Sequence, residues 1–431
     1  MNSTADALFV GIDIGTSGVR ALAIDADGLM HGQGSAPLAP SRIEGVARRQ
    51  DPKAWWQGAS NALAALFAQV SATQVRSLAV DGTSGTVLVT DREGEPLSEG
   101  WMYDDASCVA EAARVSDAAP AESAVHGASS PLARMLRLQT EVPKAAHLLH
   151  QADWIAGCLM NRFGASDANN ALKLGWDAVH ERWPDWMETL GVRRDWLPRV
   201  QRPGTVFGTV AAAQAADFGL SPRTRVVAGT TDGVAAFLAT GAGQAGDAVT
   251  SLGTTLVLKL VTAKPVFAPR FGVYSHRIGD LWLAGGASNS GGGALLRYFT
   301  PEQIDALTPR LAADQPTGTH WHPLPGIGER FPVADPSMRF EPDDRPSDDV
   351  CFLQALLEGV TEVEAKAYAL LARLGGTAPA RLWTLGGGAR NPAWSAMRER
   401  RLRLPMMQPR SSDAAYGAAL LALRGFKEAS A

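Results

Sequence analysis

Two similar turns, each between apolar strands, restrict the folds that this chain can adopt. The first, Gly-Thr-Ser-Gly at residues 15–18, follows the apolar run ALFVGIDI. The second, Gly-Thr-Thr at residues 253–255, lies inside VTSLGTTLVLKLV, about 240 residues further on. Apolar runs bounded by such turns predict buried strands that form a hairpin. Because the pattern recurs, we expect one α/β unit to be present twice, in domains at 1–224 and 225–431.

Helical patterns alternate with the predicted strands. Asp51 and Pro52 carry the signature of a helix N-terminus, and a buried strand is predicted at Val75–Asp81. Apolar residues at helical spacing predict three later helices, at 145–162, 352–374 and 413–425. Strands and helices in this alternation predict the α/β fold class.

The charge and the cysteine content of the chain indicate which ligands and which compartment to expect. Forty basic and 44 acidic residues among 431 give a net charge of −4, which provides no field for collecting nucleic acid or anionic membrane. No segment approaches the roughly 18 apolar residues of a membrane helix, and MNSTADALFVGID carries no leader pattern. Three well-separated cysteines without a CxxC pair indicate a reducing compartment. We therefore expect a cytoplasmic protein, monomer or homodimer, with a small-molecule ligand.

The first glycine turn is suited to phosphate, because glycines let backbone N–H groups approach an anion closely. A Walker A loop is excluded, since the chain contains no Gly-Lys dipeptide. A dinucleotide fingerprint is disfavoured, because GIDIGTSG lies between two strands and places an acid where pyrophosphate would bind. The remaining reading is a hairpin in which Gly15, Thr16 and Ser17 hold phosphate oxygens and Asp13 holds Mg²⁺ through water. A plain β-turn with an Asx hydrogen bond is the alternative.

Five segments carry a resemblance to a known family. In chain order they are GIDIGTSGVRALAIDADG, AGTTDGVAAFLATGA, TSLGTT, GGASNSGGGALLRYF and LGGGARNPAW. Together they resemble the FGGY family of carbohydrate kinases. The resemblance implies two ribonuclease H-like domains of the actin/hexokinase superfamily, which flank a nucleotide and sugar cleft. It also implies ATP, Mg²⁺ and phosphoryl transfer to a terminal sugar hydroxyl, with the sugar side in the N-terminal domain and the nucleotide side in the C-terminal domain.

The same resemblance implies roles for individual residues. Asp232, in GTTDG, would be the catalytic base and would also meet the sugar; a helix N-cap is the alternative. In the C-terminal domain the implied nucleotide-binding residues are Gly253, Thr254, Thr255, Gly292, Gly386, Gly387, Gly388 and Asn391. A hairpin, close helix packing and a turn with an N-cap are the structural alternatives at these positions.

The sugar-binding residues are predicted on the turns that follow strands of the first domain. A sugar requires several fixed donors and acceptors, and polar groups left unpaired against the wrong sugar give discrimination. The candidates are Thr83, Ser84, Asp104 and Asp105. For the aspartate pair a solvated turn is the alternative, and the neighbouring Trp101 is either a sugar-stacking or a core residue.

The substrate expected from the resemblance is a ketopentose. Xylulose kinases of the family carry a Met-His-Gly stretch where this chain has the Thr83–Ser84 turn, which is more similar to ribulose kinases. The expected reaction is therefore conversion of D-ribulose to D-ribulose 5-phosphate, with D-xylulose as the alternative. Outside this class, an ATPase resembling actin or heat-shock proteins without a sugar substrate, or a silent sugar sensor, stays open.

Overall fold

The computed structural model describes residues 6–342 and 344–429. The described residues form two compact units: unit 1 runs up to Ala239 and resumes at Ser411, and unit 2 is Thr240–Arg410. The expectation of no leader rested partly on residues 1–5, which lie outside the described residues. None of the described helices is long and apolar enough to cross a membrane.

The strands are numbered in chain order. They are β1 Leu8–Ile14, β2 Gly18–Ile24, β3 Met30–Pro37, β4 Arg42–Glu44, β5 Ala47–Gln50, β6 Val75–Gly82, β7 Val87–Thr90, β8 Gly100–Trp101, β9 His147–His150, β10 Ala165–Asp167, β11 Arg199–Gln201, β12 Val206–Thr209, β13 Arg225–Thr231, β14 Asp247–Leu252, β15 Leu256–Thr262, β16 Tyr274–Ile278, β17 Leu281–Ser288, β18 Arg381–Leu385 and β19 Met406–Met407.

The α-helices are numbered in the same way. They are α1 Pro52–Phe67, α2 Val109–Ala118, α3 Pro131–Glu141, α4 Gln151–Met160, α5 Ala212–Phe218, α6 Asp232–Ala239, α7 Gly292–Leu295, α8 Pro301–Leu307, α9 Asp349–Arg373, α10 Pro392–Leu402 and α11 Ala414–Glu428. Short 3₁₀ turns occur at Ala72–Gln74, Ala171–Leu174, Asp185–Leu190, Arg194–Trp196, Pro269–Phe271, Thr308–Arg310 and Gly387–Arg390.

Unit 1 is built on a six-stranded sheet in the order β12-β13-β6-β1-β2-β3. Strand β1 pairs parallel with β6, which pairs parallel with β13, whereas β1 and β2 form the predicted antiparallel hairpin. Every residue of β1 is buried, as expected for a central strand covered on both faces. The carboxyl ends of β1, β6 and β13 therefore meet at one edge of the sheet.

The units divide the chain at positions different from the predicted boundary at 224/225. Strand β13 and helix α6 belong to unit 1 because β13 pairs with β6 of the first sheet. Helix α11 returns to unit 1 and packs on β1, where a Cβ on Gly11 would lie 1.9 Å from the Ala415 carbonyl oxygen. Long-range strand pairing and helix packing therefore assign residues 225–239 and 411–429 to the first unit.

Unit 2 repeats the strand pattern of unit 1 in a sheet of order β16-β17-β15-β14-β18-β19. Its first strand, β14, is antiparallel to β15 and parallel to β18, as β1 is antiparallel to β2 and parallel to β6. The long helix α9 covers this sheet with a nearly continuous buried face. The prediction of an α/β chain that contains two similar units is confirmed.

Local signals were accurate at α1 and incomplete at α4. The Asp51 side chain accepts a hydrogen bond from the Lys53 N–H at 2.9 Å, with Pro52 in the first turn, as predicted. The predicted helix at 145–162 instead begins as strand β9, and helix α4 starts only at Gln151. The cause is pairing of β9 with β7, a long-range contact that the local apolar spacing does not reveal.

Candidate active site

Three parallel strands of unit 1 end side by side and place acidic side chains at one sheet edge. In the strand register Asp13 of β1 lies beside Asp81 of β6, which in turn lies beside Thr230 of β13. Asp232 follows two residues later as the first residue of α6. Ligands of open α/β sheets bind at this carboxyl edge, so the topology indicates a site here.

A cavity of about 380 Å³ opens at this edge within unit 1. Asp13 and Asp232 both line it. Its full lining is Asp13, Gly15, Thr16, Thr83, Tyr103, Asp232, Gly233, Ala236 and Ala414. The structure thus brings together the first glycine turn, the acid at the end of β1 and the acid that opens α6.

Asp232 has the local setting of an ionised carboxylate. It is partly exposed to solvent, and its Oδ1 accepts a hydrogen bond from the Gly233 N–H at 2.6 Å. Its position at the start of α6 exposes it to the positive end of the helix dipole, which favours negative charge. A carboxylate in this setting can accept a hydrogen bond from a hydroxyl that enters the cavity.

Asp13 and Asp81 form a buried carboxyl pair. Asp81 is fully buried, and among the described residues no N–H or hydroxyl donor reaches either of its carboxyl oxygens. A hydrogen bond between the two carboxyls therefore requires a proton on one of them. Burial, followed by the charge of Asp13, raises the pKa of Asp81 well above its usual range, so Asp81 is the group that holds this proton.

Asp13 is the member of the pair that ionises. The pKa of Asp13 is raised to about 6, mainly by burial and in smaller part by the charges of Asp232 and Asp413, while the hydrogen bond with Asp81 acts to lower it. Arg20 gives little compensation, because its Nη1 lies 3.9 Å from Asp13 Oδ2 and its side chain is largely exposed. At neutral pH the Asp13 carboxylate is thus mainly ionised, at an electrostatic cost that a bound cation would offset.

The first glycine turn is held in place through its backbone. Gln50 donates a hydrogen bond from Nε2 to the Thr16 carbonyl at 2.9 Å, and the Leu38 N–H donates to the Ser17 carbonyl at 2.9 Å. The Gly15 N–H closes the turn on the Gly18 carbonyl at 3.0 Å. Thr16 and Ser17 are exposed, so their hydroxyls are available to a ligand, although only Thr16 lines the cavity.

Of the four predicted sugar residues, the structure places Thr83 at the cavity. The Thr83 hydroxyl donates to Gln151 Oε1 at 2.9 Å and lies 2.6 Å from the Thr86 hydroxyl. Much of its hydrogen-bonding capacity is therefore used within the protein. Ser84 is half-buried in the same turn but does not line the cavity.

Asp104 and Asp105 are not brought to the cavity. Asp105 is fully buried, and its carboxylate forms an ion pair with Arg49 and accepts the Arg48 N–H at 2.6 Å. Asp104 is about half exposed, with Oδ2 3.9 Å from Arg48 Nε. The residue of this loop that lines the cavity is Tyr103, the neighbour of both predicted positions.

Trp101 is a core residue. It is buried among apolar side chains of unit 1, and the Arg49 guanidinium carbon lies 3.6 Å from the centre of its ring. One face of the indole is therefore covered by protein, as in the structural alternative for this position.

In unit 2, most of the predicted nucleotide residues gather at the end of β14. The Gly292 N–H donates to the Gly253 carbonyl at 2.8 Å, and a Cβ on Gly292 would lie 2.9 Å from that oxygen. Gly386, with a positive φ of 86°, packs so closely that a Cβ would lie 2.6 Å from the Leu252 carbonyl oxygen. Thr254 is exposed at the tip of the turn, and Thr255 accepts the Gly253 N–H at 3.2 Å.

The remaining two glycines and Asn391 lie next to this turn. Gly387 is exposed, whereas a Cβ on Gly388 would collide with Trp394 at 2.7 Å. Asn391 caps α10 by accepting the Trp394 N–H at 2.9 Å, and its Nδ2 donates to the Thr308 hydroxyl at 2.9 Å. Both ends of the Asn391 amide thus have partners within unit 2.

Sequence reasoning missed three residues of this site: Asp81, Tyr103 and Asp413. Asp81 is the last residue of a predicted strand, and Asp13 is one residue from the end of another. This shared position at a strand end could have indicated Asp81 from the sequence. Asp413 caps α11 by accepting the Ala415 N–H at 3.1 Å, and the adjacent Ala414 lines the cavity. Nothing local distinguishes Asp413 from an ordinary N-cap, since only the return of α11 brings it here.

The acidic residues do not form a metal-binding cluster by themselves. Across residues 6–342 and 344–429, no group of three or more His, Cys, Asp or Glu side chains is arranged to hold a metal ion. A cation at Asp13 would therefore take most of its ligands from water or from a bound phosphate, as Mg²⁺ commonly does.

Known proteins similar to this chain include xylulose kinases. The xylulose kinase of Escherichia coli (strain K12) is 25% identical over 90% of this chain and 84% of its own length. The xylulose kinase of Streptomyces coelicolor is 28% identical over 97% of this chain and 88% of its own length. The crystal structure of xylulose kinase from Rhodospirillum rubrum matches with a TM-score of 0.84 at 24% identity, covering 96% of this chain and 89% of that one. The last likeness shows the actin/hexokinase-like fold.

The family itself is shown by two domain matches. Residues 8–239 match the N-terminal domain of the FGGY family of carbohydrate kinases, and residues 248–426 match its C-terminal domain. Together they cover nearly the whole chain, and they confirm the resemblance carried by the five sequence segments. The chain belongs to the FGGY family of carbohydrate kinases.

Proposed function

We propose that this sugar kinase transfers the γ-phosphoryl group of ATP to the terminal hydroxyl of a ketopentose, and that D-xylulose is its substrate. The observation that carries the proposal is the presence of Asp13 and Asp232 in one cavity beside the first glycine turn. The choice of D-xylulose is supported by similar proteins, which are named xylulose kinases.

Asp232 is proposed as the catalytic base. Its carboxylate, favoured in the ionised form by the start of α6, accepts the hydrogen bond of the attacking hydroxyl and directs the oxygen lone pair. A strong base is unnecessary, because the loose transition state of phosphoryl transfer leaves orientation and charge neutralisation as the main contributions.

The residues present fit ATP and Mg²⁺. Asp13 is a buried carboxylate with a raised pKa, and its ion pair with the exposed Arg20 is long, at 3.9 Å. Exposed Thr16 and Ser17 follow it in a turn whose backbone is held in place. In unit 2, the glycines packed around β14 leave no room for side chains beside the Gly253–Thr255 turn. When bound, Mg²⁺ and ATP would supply the phosphoryl group and neutralise its charge. Asp13 would hold the cation through water, and the first glycine turn would hold phosphate oxygens.

D-ribulose is the second candidate substrate. Thr83 and Ser84 stand where xylulose kinases of the family carry Met-His, and Thr83 lines the cavity. The two ketopentoses differ at one stereocentre, so selection depends on how the polar groups of the cavity pair with one hydroxyl.

The test is formation of ADP by the purified protein in a coupled assay with Mg²⁺. The substrates are D-xylulose, D-ribulose, glycerol, gluconate and no sugar. We expect ADP formation to require a ketopentose, with the highest kcat/KM for D-xylulose. A higher kcat/KM for D-ribulose would select the second candidate, a preference for glycerol or gluconate would overturn the ketopentose assignment, and equal ADP formation without sugar would indicate an ATPase.

A further inference from the structure

A buried arginine donates hydrogen bonds to backbone carbonyls of segments that line the cavity. Arg134, on helix α3, is fully buried, and among the described residues no carboxylate lies within ion-pairing distance of it. Its guanidinium donates instead to backbone carbonyls. The acceptors are Gly85 at 2.7 Å, Trp101 at 3.2 Å, Tyr103 at 2.9 Å, Asp105 at 3.3 Å and also Ser129.

Burying the Arg134 charge in this way is energetically unfavourable as a means of stabilising the fold. A buried cation loses its hydration, and well-packed apolar residues often replace buried charges without loss of stability. Burial lowers the pKa of Arg134 to about 10, so the side chain still carries its charge at neutral pH. What Arg134 provides, and an apolar side chain does not, is a rigid planar fork that binds several carbonyls at fixed positions.

Four of the five carbonyls, all except that of Ser129, belong to two of the segments that line the cavity beside Asp232. Gly85 is in the turn of Thr83, and Tyr103 itself accepts a hydrogen bond from Arg134. Thr83 and Tyr103 both line the cavity. A second link joins the segments, because the Tyr103 N–H donates to the Thr86 hydroxyl at 3.0 Å, and that hydroxyl lies 2.6 Å from the hydroxyl of Thr83.

We propose that Arg134 is a positioning residue that fixes the spacing between the Thr83 turn and Tyr103, and thereby sets which sugar the cavity accepts. The proposal rests on the proposed sugar kinase function. Because Arg134 contacts backbone and not the cavity, its loss should loosen the sugar side while Asp13, Asp232 and the first glycine turn keep their places.

The test compares Arg134→Lys and Arg134→Ala with Arg137→Met. Arg137 is the control, because it lies one turn further along α3 and is held mainly by an ion pair with Glu111 at 2.8 Å, with one longer hydrogen bond to the Ser107 carbonyl at 3.3 Å. Lysine keeps the charge but has no planar fork to bind carbonyls of both segments, so we expect KM for the ketopentose to rise about tenfold in R134K. We expect KM for ATP to change less than about twofold, and the kcat/KM ratio between D-xylulose and D-ribulose to move toward one. R137M should change none of these three values.

Two further measurements separate positioning from general destabilisation. Added guanidinium ion should restore sugar affinity to R134A and should leave the sugar affinity of R137M unchanged. Amide hydrogen exchange should become faster at residues 82–87 and 100–107 in R134K, with residues 8–18 unchanged. Unchanged sugar KM and exchange in R134K, or KM values for sugar and ATP that rise together without guanidinium rescue, would overturn the proposal. Amide hydrogen exchange does not depend on catalysis. If the wild-type protein showed no kinase activity, the proposed function would be refuted, but hydrogen exchange in R134K would still test whether Arg134 fixes the spacing of the two segments.

Discussion

Asp232 has the most specific expected role of any single residue. Asp232→Asn keeps the size of the side chain and its place at the start of α6 but removes the negative charge that we propose orients the hydroxyl. We expect kcat to fall about 10²- to 10⁴-fold, the range for loss of a general base. The dissociation constant for ATP, measured by calorimetry, should change little. Asp217→Asn, an exposed acid on α5, is the control, and substantial turnover by D232N would assign the base to another residue.

The buried carboxyl of Asp81 leads us to expect a stability difference between the wild type and Asp81→Asn that depends on pH. Its pKa is raised in the folded protein, so between the unfolded value, about 3.9, and the folded value only the unfolded chain releases this proton. The free energy of unfolding of the wild type therefore loses up to about 1.4 kcal/mol per pH unit through this group as the pH rises. Asp81→Asn removes that loss and keeps an N–H donor toward Asp13.

We accordingly expect D81N to gain stability relative to the wild type as the pH increases from 5 to 8. Urea unfolding of both proteins at several pH values measures the difference, because the titrating groups outside the Asp13–Asp81 pair are common to both. A difference that stays constant, or that widens as the pH falls, would mean that Asp81 is ionised in the folded protein.

The packing of helix α11 supports the two elements that carry Asp13 and Asp232. It contacts both β1 and α6, and a Cβ on Gly417 would lie 1.9 Å from the Ala235 carbonyl oxygen in α6. Gly417→Ala must therefore push apart α11 and the helix that begins with Asp232. We expect the free energy of unfolding to fall by about 1–3 kcal/mol and kcat to fall with it. Gly326→Ala is the control, because nothing lies within 4 Å of the added methyl group. Equal stability of G417A and G326A would contradict the packing argument.

Strands and helices could be predicted from the sequence where the local residue pattern agrees with the burial seen in the structure. Strand β1 and the hairpin at Gly15 follow from the apolar run and its glycines, and the Asp51 cap follows from its side chain and Pro52. Strand β9 was not predictable, because its pairing with β7 overrides a helical pattern. Asp81 was missed for a similar reason, since the parallel register that sets it beside Asp13 joins segments 68 positions apart.

At the scale of the whole chain, the last described helix, α11, packs on the sheet of unit 1 and completes its core. Ala415, Ala418, Ala419 and Ala422 of α11 are buried in a cluster with Phe9 of β1. Sequence patterns predicted α11 as a helix but gave no indication of its partner strand, so the predicted boundary at 224/225 differs from the division of the structure. Small side chains permit this close packing, and their helical spacing alone does not identify the surface they cover.

A chain that ends at Arg410 should therefore lose the fold of unit 1 while keeping the strands of unit 2. Without α11, the face of β1 that carries Phe9 would be exposed to water. Limited proteolysis with mass spectrometry should show cleavage throughout residues 8–239 and protection within 240–410. A chain that ends at Glu428 is the control. Protection of residues 8–239 in the shorter chain would show that α11 is dispensable.

Phosphorus NMR of the reaction mixture tests most directly whether Asp13 and Asp232 form the site of sugar phosphorylation. The wild-type protein, ATP, Mg²⁺ and either D-xylulose or D-ribulose should yield a phosphate ester whose phosphorus couples to the two protons of a terminal CH₂ group, and D232N should yield almost none. Inorganic phosphate with unchanged sugar, or an ester formed equally well by D232N, would contradict the proposed reaction.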